Sequence, residues 1–294
     1  MITATYAELH NAIAKLQAIS RGTMASITLC MINQKGGCGK SSTCFHLAGA
    51  FAASGCSVLL IDADPQGSLS QGFFGSEVIE NLPAGRTLAA LFDEECFFLD
   101  QQQLILQTDF DGISIVPCNQ HLARHNIPEP EKAGLAQYAL KEFLEQNDGY
   151  DVVLIDCPPN LYQCSWNAMV AADYVVIPVP PEDFGTQGLR AVHQAIDNAR
   201  KLNPTIRRLG HLVTRYDRRL LVHRSYEERL RELYKEMVLD TIVPEASAFK
   251  VSLACRQPVE YYSAKSTAAE RTRDLAAEIV TRIAEKSKKR IVGA

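Results

Sequence analysis

A short apolar run, Ser26–Asn33, ends in Gln34-Lys35-Gly36-Gly37-Cys38-Gly39-Lys40-Ser41-Ser42, and helical spacing resumes at once over Lys40–Ala53. No other stretch of the chain constrains its fold so tightly. The glycines let the backbone curl with its N–H groups facing inward. Together with the N-terminus of the following helix they form a cradle for phosphate. Lys40 would reach the β- and γ-phosphates of a nucleotide, and the Ser41 hydroxyl would ligate Mg2+. The ordinary motif has a glycine five residues before Gly39. Here that place is Gln34, and a lysine, Lys35, stands beside it.

The rest of the chain repeats the pattern of strand followed by helix. Ser26–Asn33, Ser57–Asp62, Gly112–Pro117, Asp151–Asp156, Tyr174–Val179 and Arg208–Thr214 are almost continuously apolar and rich in Val, Ile and Leu. Such runs suit strands buried on both faces. Helical periodicity is expected over Lys40–Ala53, Gly134–Gln146, Asn160–Ala172, Gly188–Leu202, Ser225–Glu236 and Ala268–Glu285. The alternation predicts an α/β fold with a mostly parallel, twisted sheet, right-handed crossovers and helices on both faces. With 294 residues, 47% of them apolar and 22% charged, the chain can bury a core without staples. It contains no run of 18 apolar residues, so no membrane span is expected. Nine scattered cysteines without a Cys-x-x-Cys pair fit reduced thiols in a cytoplasmic protein.

Two further apolar runs end in carboxylates. Val58–Ile61 leads into Asp62-Ala63-Asp64-Pro65-Gln66-Gly67, and Val152–Ile155 leads into Asp156-Cys157-Pro158-Pro159. In open α/β sheets the C-terminal strand edge is where ligands bind. Asp62 and Asp156 would hold Mg2+ through water, and Asp64 would orient or deprotonate an attacking water. The paired prolines stiffen the loop leaving the last of these strands.

These motifs together resemble the ParA/Soj partition ATPases, whose phosphate loop is the deviant Lys-Gly-Gly-x-Gly-Lys-Ser/Thr form shared with MinD. The resemblance runs from about Ala25 to Glu285, and Asp62-Ala63-Asp64-Pro65-Gln66 favours ParA over MinD. It implies a P-loop NTPase fold, with Lys35, Gly36, Gly37, Cys38, Gly39, Lys40, Ser41 and Ser42 around ATP. Thr214, Pro244 and Glu245 would lie near the base. Lys35, Lys40 and Asp64 would be catalytic, and Ser41, Asp62 and Asp156 would hold Mg2+. It also implies an ATP-sandwich homodimer in which Lys35 crosses to the other subunit's phosphates. In relatives that dimer binds double-stranded DNA without sequence preference, and hydrolysis stays slow until a cargo-bound ParB-like partner stimulates it. The expected location is the cytoplasm, on the nucleoid.

The net charge is −4, yet residues 200–231 carry ten Lys or Arg against three acids, a local balance of +7. Nine of the ten are arginine, suited to forked phosphate contacts, although Glu227 and Glu228 offer helix ion pairs that would explain some of them. Arg215, Arg218, Arg219 and Arg224 are the candidate DNA contacts. Lys250 joins them, because a family arginine position is Ala248 here. Residues 1–24 are expected to form a helical extension and linker, with Tyr6, Leu9, Ile13 and Leu16 on one stripe, too short for a helix-turn-helix domain. Residues 25–285 form the ATPase domain and 286–294 a basic tail. That tail offers only Ile291 and Val292 as an apolar face, little for a MinD-like membrane helix. A third class, iron–sulfur relatives, would need cluster thiolates, for which Cys118 and Cys157 are the candidates.

Overall fold

All six expected strands form, with no end shifted by more than two residues. In a computed structural model, residues 26–96, 100–181 and 186–292 are described, together with Leu9, Asn11, Ile13 and Ala14; side chains in the last stretch are described for 188–286. The strands are β1 (Ile27–Met31), β2 (Val58–Asp62), β3 (Leu106–Gln107), β4 (Ile113–Val116), β5 (Val152–Asp156), β6 (Tyr174–Val179) and β7 (Arg207–Val213). They make one sheet in the order β3-β4-β2-β5-β1-β6-β7, parallel except for β3 against β4. Strand β3 escapes the sequence reading because two residues, one of them Gln107, give no periodicity.

The helices are α1 (Lys40–Ala53), α2 (Ser68–Phe74), α3 (Ser76–Glu80), α4 (Ala139–Gln146), α5 (Gln163–Ala171), α6 (Thr186–Ala199), α7 (Leu221–Tyr234), α8 (Ser247–Ala254), α9 (Val259–Tyr262) and α10 (Thr267–Val292). Helix α1 spans the range its periodicity predicts. The expected helix from Gly134 begins instead as a tight 3-10 turn, Gly134–Tyr138. Helices α2, α3, α8 and α9 were not expected; each is eight residues or fewer, too short for an amphipathic stripe to declare itself. Helix α10 continues past Glu285 to Val292, so the basic tail extends the last helix.

Because strand side chains alternate between faces, each apolar strand feeds two cores. Ile27, Leu29 and Met31 of β1 and Val152 and Leu154 of β5 pack with Phe45, Leu47 and Phe51 of α1 and with Ile279 and Ile283 of α10. Cys30 of β1 and Val153 and Ile155 of β5 face the other way, onto Trp166 and Met169 of α5 and Val192 and Ile196 of α6. Each such aliphatic side chain contributes about 1.5–3 kcal/mol by leaving water. Leu9 and Ile13 are helical and buried in the α1 face of this core. Of the expected N-terminal stripe, Tyr6 and Leu16 lie outside the described residues. A buried ion pair closes the α1 side. Arg273 Nη1 donates to both carboxylate oxygens of Glu260 at 2.9 and 2.8 Å, fixing α9 on α10. Loss of one partner from such a pair costs about 3–5 kcal/mol.

The sheet order places β1 between β5 and β6, while the chain leaves β1 for β2 on the far side of β5. Connections therefore diverge at the C-terminal end of β1, which is where a crevice opens in an α/β sheet. In register, Asp156 lies beside Met31 on one side and Asp62 on the other. Three strands thus end at one level, directly beneath the loop that follows β1.

Candidate functional site

Asn33 anchors the loop. Its side-chain amide donates to the Pro178 carbonyl at 2.6 Å, and its Oδ1 accepts the Lys35 N–H at 3.0 Å. Gly39 sits at φ 88°, a left-handed conformation that strains any side chain, and its carbonyl accepts the Thr43 N–H at 2.8 Å to begin α1. Lys40 is buried and folds back. Its Nζ donates to the carbonyls of Asn33 at 3.2 Å and Lys35 at 3.3 Å. Backbone carbonyls thus hold the ammonium over the loop, at a place where anionic phosphate oxygens would bind it more strongly.

Above the loop lies a cleft of about 470 Å³. Residues 36–42 form one wall, including Gly36, Gly37, Cys38, Gly39, Lys40, Ser41 and Ser42. Asp64 and Gln66 stand on a second side, and Thr214, Arg215, Pro244, Glu245 and Lys250 on a third. Phe249 and Leu253 supply apolar lining that no sequence signal announced. The third wall is tied to the loop by two hydrogen bonds. Thr214 Oγ1 donates to the Cys38 carbonyl at 2.8 Å and Arg215 Nη1 to the Gly37 carbonyl at 3.1 Å. Glu245 bridges two cations at the lip, accepting from Arg215 Nε at 3.2 Å and pairing with Lys250 Nζ at 2.5 Å.

The two strand-end aspartates differ in what they touch. Asp62 is fully buried and already served by the protein. Ser70 donates to its Oδ2 through N at 2.8 Å and Oγ at 2.6 Å, and the Asp64 N–H donates to Oδ1 at 3.2 Å. Burial pushes its carboxyl up to about 7 against the pull of those donors. Asp156 is equally buried, yet neither carboxylate oxygen accepts a hydrogen bond of ordinary geometry. Burial raises it well above the usual carboxylate range and the nearby Asp62 charge adds to this; Ser41 and Lys40 oppose the rise without satisfying the oxygens. A buried carboxylate left this way is costly unless a cation or its water completes it. Hydroxyl, carboxylate and water are the donor set that Mg2+ takes, so Ser41 and Asp156 fit that ion. Asp64 lies at the cleft wall and accepts the Gln66 N–H at 3.0 Å.

Sequence reasoning missed Asn33 and Ser70, the two residues that hold this geometry. Ser70 also accepts the Cys118 N–H at 3.0 Å. Its helix begins only because Gly67 takes φ 64° close against the Cys118 carbonyl, where a Cβ would come within 2.5 Å. Lys35 is exposed and stands outside the residues lining the cleft. Cys118 and Cys157 are fully buried in the core rather than presented at the strand ends.

The basic stretch disperses. Arg200 and Arg208 both pair with Asp197, at 2.9 and 2.6 Å, and Arg229 pairs with Glu232 at 3.1 Å. Arg231 joins Glu227 at 2.8 Å and the Leu239 carbonyl at 3.1 Å, while Arg207 caps the Lys286 carbonyl at 2.9 Å. Arg215 and Lys250, expected on a DNA face, are exposed and also line the cleft. Arg218, Arg219 and Arg224 remain on the exposed surface, with Arg219 folded onto Asp217 at 2.7 Å.

The sequence profile of the AAA domain family matches residues 26–208. The chromosome partitioning protein ParA of Caulobacter vibrioides is 34% identical over 260 residues, spanning 86% of this chain and 94% of that protein. The chromosome-partitioning ATPase Soj of Thermus thermophilus is 33% identical over 260 residues, spanning 87% and 96%. Among solved structures, cobyrinic acid a,c-diamide synthase from Mycobacterium smegmatis, with bound ATP analog and magnesium, aligns at a TM-score of 0.72 and 29% identity over 86% of this chain and 93% of its own. The septum site-determining protein MinD of Pyrococcus horikoshii, complexed with Mg-ADP, shares the fold at a TM-score of 0.65 and 21% identity over 85% and 94%.

Proposed function

The chain belongs to the ParA/MinD family of ATPases, in its ParA/Soj branch, and from that premise we propose that it is a Mg2+-dependent partition ATPase. It binds ATP in the cleft above residues 36–42, closes as a homodimer around two nucleotides, and in that form binds duplex DNA without regard to sequence. Hydrolysis is slow until a ParB-like partner stimulates it, and the cycle positions a DNA or protein cargo. The protein works in the cytoplasm, on the nucleoid.

One observation carries the reading: the buried Asp156 carboxylate, neither of whose oxygens accepts a hydrogen bond of ordinary geometry, in register beneath the phosphate loop. Ser41 and, through water, Asp156 and Asp62 would hold Mg2+, which would supply charge neutralisation on the phosphates. Lys40 exchanges its loop carbonyls for phosphate oxygens, and the inward N–H groups of residues 36–41 bind the rest of the triphosphate. Asp64, at the cleft wall, orients the attacking water. In phosphoryl transfer, positioning and charge balance do most of the work. Two triphosphates brought toward a two-fold axis repel one another, and Lys35, exposed and outside the residues that line its own cleft, offsets that repulsion in trans. Thr214, Pro244 and Glu245 border the base.

Light scattering with ATP and Mg2+ tests this. The wild-type protein is expected to double in mass. Lys35→Ala is expected to hold nucleotide within about threefold of wild type yet stay monomeric, since an in-trans cation acts only across the interface. An ATP-dependent dimer of Lys35→Ala overturns the role. Pelleting on vesicles rather than on DNA would instead establish the MinD-like, membrane-associated alternative.

A further inference from the structure

At the tip of α7 three consecutive apolar side chains stand in solvent: Leu220 is 45% exposed, Leu221 68% and Val222 58%. Single exposed apolar residues are ordinary, but a contiguous group on a rigid tip marks a contact. The tip is rigid because its next residues are buried. His223 Nδ1 accepts the Asp217 N–H at 2.9 Å, and Tyr226 and Leu230 pack into the core. Its root is fixed too, since the Tyr216 N–H bonds the Val243 carbonyl at 3.1 Å, beside the nucleotide cleft.

The surroundings are those of a polyanion contact. Arg218 and Arg219 precede the apolar group, Arg224 follows it, and all three are exposed, with Arg219 paired to Asp217 at 2.7 Å. The helix tip has no side-chain cap and no acid in its first turn. An uncapped helix N-terminus presents N–H groups and a positive dipole end to anions. Cations on both sides of an apolar wedge match a duplex groove, where phosphate rows flank the stacked bases.

We propose that Leu220, Leu221 and Val222 form a wedge that enters the minor groove and partly unstacks a base step, while Arg218, Arg224 and the bare helix tip hold the phosphates on either side and Arg219 stays on Asp217. This rests on the reading that the chain binds duplex DNA, and it says how. The occupant is DNA rather than a bilayer because three apolar side chains bury too little to retain a protein on lipid, whereas one wedge is enough to open a step and kink the duplex by about 20–90°. The binding stays indifferent to sequence because the wedge reads deformability and the arginines read phosphate.

The test uses the full chain with ATP and Mg2+ and a short duplex carrying end-to-end fluorophores and an internal 2-aminopurine. Wild type is expected to bend the duplex by about 20° or more and to brighten the 2-aminopurine. Leu221→Ser, at an exposed position that folding does not need, is expected to remove the bend and weaken binding about tenfold, leaving the slope of log affinity against log salt unchanged. Arg218→Ala is expected to lower that slope by about one and keep the bend at saturation. A straight duplex under wild type, or an unchanged bend under Leu221→Ser with Val222→Ser, overturns the wedge. So does a Leu221→Ser defect seen on phosphatidylserine vesicles and not on DNA. Failure of wild type to bind any duplex overturns the underlying DNA reading instead.

Discussion

The strand ends at residues 33–42, 62–64 and 156 and the basic stretch at residues 200–231 both stand out in the sequence, but only the first gathers in one place. Backbone geometry explains the contrast. A parallel sheet brings the C-terminal ends of β1, β2 and β5 to one level, so residues far apart in sequence meet once register is fixed. A charge count carries no such constraint. Arg207 and Arg208 lie on strand β7, Arg231 on α7 and Arg215 in the loop between them, and each finds a different partner. Motif spacing therefore predicts proximity, while local net charge predicts only an excess, part of which the fold spends on its own carboxylates and carbonyls.

The sharpest way to break this contrast is at Asp156. If the strand ends form one catalytic unit, Asp156→Asn lowers ATP turnover by about 10²–10³-fold, the scale of losing one charge-stabilising group in a water-excluded site. Stability without nucleotide should not fall, because the substitution removes a buried carboxylate that no protein donor satisfies. Steady-state turnover and a melting curve measure the two effects. A destabilised Asn variant with normal turnover would make Asp156 a structural residue and the strand ends a coincidence of register.

The next largest effect concerns the basic stretch itself. Charge reversal at Arg218 and Arg219 is expected to weaken duplex binding by about tenfold or more at low salt, each lost phosphate contact also flattening the salt dependence. Arg231→Met should leave DNA affinity near wild type and instead cost about 1–2 kcal/mol of stability, since it strips a hydrogen bond from the Leu239 carbonyl and an ion pair from Glu227. Anisotropy titrations beside urea melts separate the two roles. Equal losses of DNA affinity at both sites would restore a single continuous face.

How much was legible follows the same division. The run from Lys35 to Ser42 fixes a strand, a turn and a helix by chemistry that only such a turn satisfies, and α1 begins and ends where its spacing says. The six long strands are visible because burial on both faces demands unbroken apolar runs. Ser70 was not legible, since a serine in a seven-residue helix gains its role only when Gly67 turns the chain back under Asp62. Phe249 and Leu253 line the cleft from α8, an eight-residue helix without a strong stripe. Arg215 and Lys250 are surface cations as expected, but sequence does not show that Glu245 lies between them at the cleft.

The smallest expected effect asks whether the two regions also differ in how they respond to acid. Each buries a neutral histidine: His46 on α1 and His211 on β7, both lowered by burial to about 3. His46 Nδ1 accepts the Val259 N–H at 3.1 Å, and His211 Nε2 meets His193 Nε2 at 3.1 Å. A folded-state pKa below the unfolded value of about 6.5 means the unfolded chain binds more protons under that pH. Stability from each histidine is therefore complete above about pH 6.5 and drains away as pH falls toward 3, roughly 1.4 kcal/mol by pH 5.5. His46→Asn keeps an acceptor for Val259 but cannot titrate, so its melting temperature should fall less between pH 7 and 5.5 than that of wild type. Because burial is the main cause at both sites, removing titration at His211 should flatten the same window by a similar amount. If only one substitution flattens it, the regions differ in how tightly they are packed as well as in how their charges are arranged.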